Sequence, residues 1–358
     1  MKRAQGFSLI ELMLALGLGV VVTAGIVSLF VGNNQTYTLL NGQSRLQESA
    51  RFSVDFISRS ARAAGYLGCD PEPGKIYKTL NGAWNQIFEF DITTPIQAFH
   101  GTGGGNGVND WTPALTTLPR TGSVVGYIAA NGVDITRLRP QSDILVLRHV
   151  QIPGARIAAI VQADTNPTVE VPAAGLDFVA TNFVAINNCE QATVFRLANI
   201  TGGGATRTLV RDVAPATGLG LYENTPAASL SPTGITYGEA NNAQGSSVGR
   251  VLTDIYYVAQ GSGSNNRNQT PWSLWRKVSE DAPVELIEGV ERLRVRFGID
   301  KTPNDAFAAA NRYVTYDQVF ANPIRALRIS ITTNSVDIVN DTAAPLARTF
   351  SQTISFRN

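Results

Sequence analysis

The chain is short of the residues that most often carry chemistry. Its 358 residues include only two histidines, His100 and His149, and two cysteines, Cys69 and Cys189. Neither histidine stands at metal-ligand spacing from a second histidine or a cysteine. Each reads as a hydrogen-bonded or solvated side chain. No combination of nucleophile, base and orienting group emerges from any motif, which speaks against an enzyme. Charge is sparse too: charged residues make up 16% and the net charge is +1. A broad basic field for nucleic acid is therefore not expected. The glycine run Gly101-Thr-Gly-Gly-Gly-Asn-Gly has Asn106 where a dinucleotide fingerprint needs its third glycine, and no helical pattern follows. It reads as a loop. Proline is absent before Pro71, so nothing of that kind interrupts a helix in the first 70 residues.

What the sequence does have is a long apolar run at its start. A basic leader, residues 1 to 6, leads into an apolar block from Phe7 to Gly32 whose one formal charge is Glu11. A membrane-spanning helix needs about 20 mainly apolar residues. Lys2 and Arg3 would hold the leader on the cytoplasmic side, so the chain after Gly32 is expected outside. A secretory signal would place its small-residue cleavage site after the apolar core. Here the small residue, Gly6, precedes it, so processing there removes the leader and keeps the anchor.

Glu11 is the informative residue. A carboxylate inside an apolar span costs roughly 2.5–3.5 kcal/mol and calls for a partner or a function. Cleavage after Gly6 would create an amine at Phe7, about 6 Å away along a helix. Glu11 can neutralise that amine or the amine of a neighbouring subunit. The competing reading is an ordinary signal anchor with an incidental glutamate.

The string Gly6-Phe-Ser-Leu-Ile-Glu-Leu12 resembles the class III signal of the type IV pilin family, over roughly residues 1 to 32. The resemblance implies cleavage by a prepilin peptidase between Gly6 and Phe7, methylation of Phe7, and a role for Glu11 in setting subunit register during assembly. Many major pilins carry a kinking proline in this helix, and this chain does not.

Past Gly32 the apolar pattern becomes one-sided. Leu46, Ala50, Val54, Ile57, Ala61 and Ala64 recur at three- and four-residue intervals, the stripe of an amphipathic helix. Arg51, Asp55 and Arg59 lie on another face at i,i+4 spacing. One continuous helix from Ser8 to about Ala64 would extend about 85 Å, stopped by Gly65, Gly68 and Pro71.

From Cys69 the helical period is lost. Strands are expected at Gln86–Ile92, Ser123–Ala129, Asp143–Val150, Thr193–Ile200, Arg250–Gln260 and Ser273–Val278, then at Val290–Phe297 and Ile324–Thr332, and the chain closes with the stretch from Arg348 to Asn358. Long loops at Gly101–Trp111, Asn224–Gly249 and Gly261–Thr270 would carry partner contacts. The expected fold is α+β: a long N-terminal α-helix, transmembrane then amphipathic, packed on a largely antiparallel β domain. The expected segments are a leader (1–6), a transmembrane or filament-core helix (7–32), its amphipathic continuation (33–68) and an exported β-rich domain (69–358). Export puts both cysteines in an oxidising space, where a pair more often forms a disulfide than a metal site. Cys69 joined to Cys189 would stabilise by roughly 4–5 kcal/mol in the chain-entropy model. Two unpaired buried thiols are the alternative.

Three weaker features remain. Asp300, Asn304 and Asp305 put oxygens on one turn, but calcium takes roughly six to eight, and Lys301 sits among them; no other cofactor is suggested. Arg292, Arg294 and Arg296 alternate on one strand and could face phosphates, but with Glu285, Glu288 and Glu291 nearby and no aromatic ladder a solvated or partner-facing edge is the better reading. Finally, a Gly-Val-Glu-x-Leu strand at Gly289–Leu293 ending in Gly298-Ile-Asp300, an Arg-Ile-Ser strand at 328–330 and a terminal Arg-Asn together resemble the PilW family of minor type IV pilins. With the helix, this covers about half of the chain.

That resemblance implies a minor pilin that primes or joins a type IV pilus, in a complex at the tip, supporting twitching motility and adhesion. It implies a prepilin peptidase, other minor pilins, the major pilin, a tip adhesin and the inner membrane as partners. The protein would sit in the bacterial inner membrane as a single pass with a periplasmic C-terminal domain, then in the pilus at the cell surface. A J-type pseudopilin of type II secretion shares the helix and signal and is the alternative. A membrane-anchored exported enzyme is the alternative of another class.

Overall fold

The computed structural model describes residues 8–68, 75–121, 131–151, 154–158, 166–172, 175–211, 220–225, 228–230, 237–238, 245–302, 309–320, 322–339 and 344–356. One helix, α1 (Leu9–Ala63), runs unbroken for 55 residues, about 82 Å at the helical rise. Sixteen strands follow among the described residues. They are β1 (Ile76–Lys78), β2 (Ile96–Gly101), β3 (Trp111–Thr112), β4 (Ile144–Val150), β5 (Ala155–Arg156), β6 (Thr168–Glu170), β7 (Phe183–Asn187), β8 (Ala192–Thr201), β9 (Thr206–Arg211), β10 (Ser247–Gln260), β11 (Trp272–Val278), β12 (Val284–Glu288), β13 (Val290–Ile299), β14 (Arg312–Val314), β15 (Ile324–Asn334) and β16 (Ala347–Ser355).

Two sheets divide these strands. The first is twelve-stranded with the path β3-β2-β4-β10-β7-β8-β9-β6. Its organiser is β10, which pairs with β4 along one edge and, on the other, with β7 through its first residues and with β11 from Asp254 onward. The second sheet is four-stranded, in the order β14-β13-β15-β16. All pairings between strands are antiparallel except β1 with β8. The α+β arrangement of a type IV pilin-like fold is what the helical stripe and the alternating segments call for.

The sheets share a core with the helix. Ile57 and Ala61 of α1 are packed among Leu145, Leu147, Tyr256 and Val258 of the large sheet and Leu293, Val295, Phe297, Ile329 and Ile331 of the small one. Full burial of one such aliphatic side chain is worth about 1.5–3 kcal/mol. Val290 to Phe297 alternates as expected, its apolar members buried and its arginines on the other face. Gly289 takes φ +78° at the turn into β13, where a side chain would meet the backbone of Asn334.

One expected strand is wrong. Gln86–Ile92 forms two 3-10 turns, Trp84–Gln86 and Phe88–Phe90. Ile87, Phe88 and Phe90 are all buried, so the segment lacks the one-sided burial of a half-exposed strand, and its carbonyls are taken by side chains. Arg148 Nε donates to Phe88 O, and Thr253 Oγ1 donates to Glu89 O. The expected strand Ser123–Ala129 lies outside the described residues, as do parts of the loop Asn224–Gly249. Gly101–Trp111 is less loose than its composition suggests: Thr102 and Gly103 N–H both donate to Asp110 O, and the Asp110 carboxylate accepts from Gly107 N–H.

Candidate functional site: the N-terminal helix and its docking face

The helix behaves as two halves. From Leu9 to Asn41 every residue is exposed, and the stretch contains one charge, Glu11. The apolar part is long enough to cross a bilayer. Its hydroxyls are turned inward on the helix: Thr23 donates to Gly19 O at 2.7 Å, Ser28 to Gly25 O at 2.8 Å and Thr36 to Gly32 O at 2.9 Å. Back-bonding of this kind satisfies a donor that lipid or an apolar partner helix could not.

At its start the helix has Ser8 as N-cap in extended conformation, without a side-chain capping bond. The first-turn N–H groups therefore keep their partial positive charge, and Glu11 stands in that turn. Gly6 and Phe7, the expected cleavage pair, lie outside the described residues.

The second half is locked to the β domain. Gly42 permits the close approach: a Cβ there would come within 2.8 Å of Val339 Cγ1. Leu46 O accepts from Thr333 Oγ1 at 3.1 Å, and Arg45 faces Asp337 at 3.6 Å. Further along, Ser58 Oγ donates to Gln352 at 3.2 Å, and Ser60 Oγ lies 2.8 Å from Tyr256 OH. Leu46, Ala50, Ile57 and Ala61 of the expected stripe are buried, with Val54 and Ala64 partly so. Sequence reading missed Gly42, although 42, 46, 50, 53, 57 and 61 continue the same spacing. At the far end Gly65, φ +83°, donates its N–H to Arg148 O at 2.9 Å. Arg148 is itself fully buried, donating to Phe88 O, Thr94 O and Gln97 Oε1.

The remaining sequence candidates are placed as follows. His100 and His149 are not brought together. His100 Nδ1 lies 2.7 Å from Asp143 Oδ1, and Arg294 donates to the same oxygen at 3.1 Å. Asp143 Oδ2 accepts from Val295 N–H at 2.8 Å, and Asp143 N–H donates to Leu293 O at 2.8 Å. A buried carboxylate thus joins the edge of the small sheet to the large one, a role not read from sequence. The polar pair Ser142-Asp143 just before a buried strand was the available signal.

His149 sits beside Asp254 and Arg276, and burial pushes its imidazole below the ordinary range. Of the three arginines, Arg294 is thus committed to Asp143 and Arg296 lies 3.9 Å from it.

Asp300 is buried, its Oδ1 accepting from Thr302 N–H and its Oδ2 facing Arg325 at 3.7 Å. A guanidinium at that distance opposes a second cation. Asn304 and Asp305 lie outside the described residues. Among the described residues no cluster of three or more His, Cys, Asp or Glu could hold a metal. Cys189 is disulfide-bonded, and Cys69 lies outside the described residues.

An exposed apolar helix whose later turns are laid on an antiparallel sheet is consistent with a type IV pilin-like fold, and two family models match parts of the chain. Residues 1–27 match the prokaryotic N-terminal methylation motif. Residues 255–358, from the second half of β10 through the small sheet, match the family described as Type IV Pilus-assembly protein W, PilW. Over these two segments the chain is similar to PilW-like minor type IV pilins. No curated protein and no solved structure matches it.

Proposed function

We propose that the chain is processed between Gly6 and Phe7 by a prepilin peptidase, methylated on Phe7, and used to prime a type IV pilus or built into it within a tip complex. There it supports twitching motility and adhesion alongside other minor pilins, the major pilin and an adhesin. The observation that carries this reading is the division of α1 into an exposed, nearly uncharged half and a half locked to the β domain. The free half anchors the subunit in the inner membrane with its C-terminal domain periplasmic, and later inserts among other such helices. Glu11 neutralises a Phe7 amine, removing two charges from an apolar bundle at once.

The pairing of Cys69 with Cys189 belongs to the same reading. Cys189 is disulfide-bonded and the sequence holds one other cysteine. The bridge would tie the chain just beyond the helix to the turn between β7 and β8.

Mass spectrometry of the N-terminus, from membranes and from sheared surface filaments, tests the proposal. A chain beginning at methylated Phe7 and present in the filaments is expected. A chain that keeps Met1 where the peptidase is active overturns it.

A further inference from the structure

The small sheet ends in an open edge. β16 pairs with β15 in one unbroken register from Ala347 to Ser355. Phe356 N–H bonds to Arg325 O, and Ser335 N–H to Leu346 O. Antiparallel pairing alternates, so Arg348, Phe350, Gln352 and Ile354 turn their backbone groups toward β15. Ala347, Thr349, Ser351, Thr353 and Ser355 turn theirs outward. These five residues are exposed. Natural edges are usually blunted by a bulge, proline or inward charge. From Thr349 to Ser355 there is no charge and no proline, and the pairing has no bulge.

The face beside this edge is positive. Opposite one another across β13, β15 and β16 stand Arg292, Thr332 and Thr349, then Arg294, Ser330 and Ser351, then Arg296, Arg328 and Thr353. The hydroxyls are bonded in cross-strand pairs, Ser330 to Ser351 and Thr332 to Thr349, both at 2.8 Å. Arg328 lies 3.8 Å over the Tyr313 ring and donates to Thr353 Oγ1. Two carboxylates reach this face at the β13 side, Asp143 against Arg294 at 3.1 Å and Arg296 at 3.9 Å, and Glu291 against Asn334 at 2.6 Å. Arg292 and Arg328, the latter on the strand next to β16, have no carboxylate partner among the described residues.

A second copy does not fit the edge in the simplest way. Leu46 meets Thr333, which is opposite Arg348, and Ser58 meets Gln352, so α1 and β16 run in the same sense. Antiparallel pairing of two β16 strands would point two α1 helices in opposite directions, which a shared membrane forbids. That exclusion rests on the anchoring proposed above.

We propose that β16 receives an extended, acidic segment of a different protein by strand addition, its backbone bonding to Thr349, Ser351 and Thr353 and its carboxylates facing the arginine-bearing face. The test uses the full chain in detergent micelles and two labelled nine-residue probes, one alternating Glu and Thr, the other Lys and Thr. The Glu probe should bind, protecting the Thr349, Ser351 and Thr353 amides from hydrogen exchange, and the Lys probe should not. Ser351→Pro removes only an outward N–H and should weaken Glu-probe binding about tenfold or more. Arg328→Gln should weaken it several-fold.

Equal binding of the two probes, wild-type binding by Ser351→Pro, unchanged exchange at the three amides, or dimerisation through β16 in light scattering each overturns the proposal. If Ser351→Pro does not fold, amide exchange in the wild-type chain decides. Failure of the pilin reading would appear instead as an unprocessed N-terminus, which leaves the peptide measurement intact.

Discussion

Replacing Asp143 by alanine should loosen the joint between the two sheets. Its carboxylate is 1% exposed and accepts from Gly101 N–H, Val295 N–H and Arg294, with His100 Nδ1 at 2.7 Å. Asp143→Ala leaves two backbone donors and a guanidinium without their acceptor in a place water reaches poorly. Each unsatisfied buried group costs about 1–3 kcal/mol, and breaking a buried charge pair from one side costs about 3–5 kcal/mol. These overlap, so the expected loss is roughly 4 kcal/mol. At about 2–4 °C per kcal/mol for a domain this large, the melting temperature should fall by roughly 8–16 °C. Near-UV circular dichroism in the tryptophan region of the full chain in micelles reads this, because Trp111 Nε1 donates to Ser142 O next to the site and α1 holds no tryptophan. Asp143→Asn keeps an acceptor oxygen and should fall between wild type and Asp143→Ala. A shift under about 2 °C for Asp143→Ala would refute the idea that this carboxylate holds the sheets together.

Two further outcomes follow from burial. Lys277 is buried, donates to Ser279 O and Asp281 O, and has its pKa pulled down to about 8 by loss of solvent. Between pH 8 and about 10 the unfolded chain holds a proton that the folded chain has released, so stability should rise with pH across that window. Lys277→Met should abolish the rise in urea titrations, and an unchanged slope would contradict the assignment. Above pH 10 the buried tyrosines act in the opposite direction, Tyr256 among them with its phenol pushed up to about 12. The second outcome separates the halves of α1. Ile57→Ala should cost about 2–5 kcal/mol as a core truncation, whereas Phe30→Ala, on the exposed half, should stay within about 0.5 kcal/mol in the isolated chain.

Sequence reading found the helix because a 3.6-residue period survives over many turns, and it found β4, β8, β10, β11, β13 and β15 because each alternates or runs apolar between turn formers. It failed at residues 86–92, where local apolar content resembles a strand. There the decision is made by Arg148 and Thr253, which are distant in sequence and supply the hydrogen bonds a strand neighbour would have given. The arginines at 292, 294 and 296 were legible as a stripe. The Asp143 carboxylate that claims Arg294 was not, because an ion pair spanning 151 residues leaves no local pattern. Gly42 was legible in principle, one step before the stripe that was recognised.

The break between the halves of α1 has a mechanical consequence. The apolar block from Leu9 to Gly32 spans about 36 Å at the helical rise, close to the roughly 30 Å hydrocarbon core of a bilayer. Docking begins only at Gly42, so some nine residues, Asn33 to Asn41, lie between membrane and domain. They add about 14 Å of exposed helix that is uncharged, with Asn33, Asn34 and Gln35 at its start. A charge there would be harmless to a membrane anchor in water, but costly once the helix is surrounded by others like it. The absence of charge from Leu12 through Ser44 therefore fits a helix that leaves the bilayer to be buried in a bundle, and is more than anchoring alone requires.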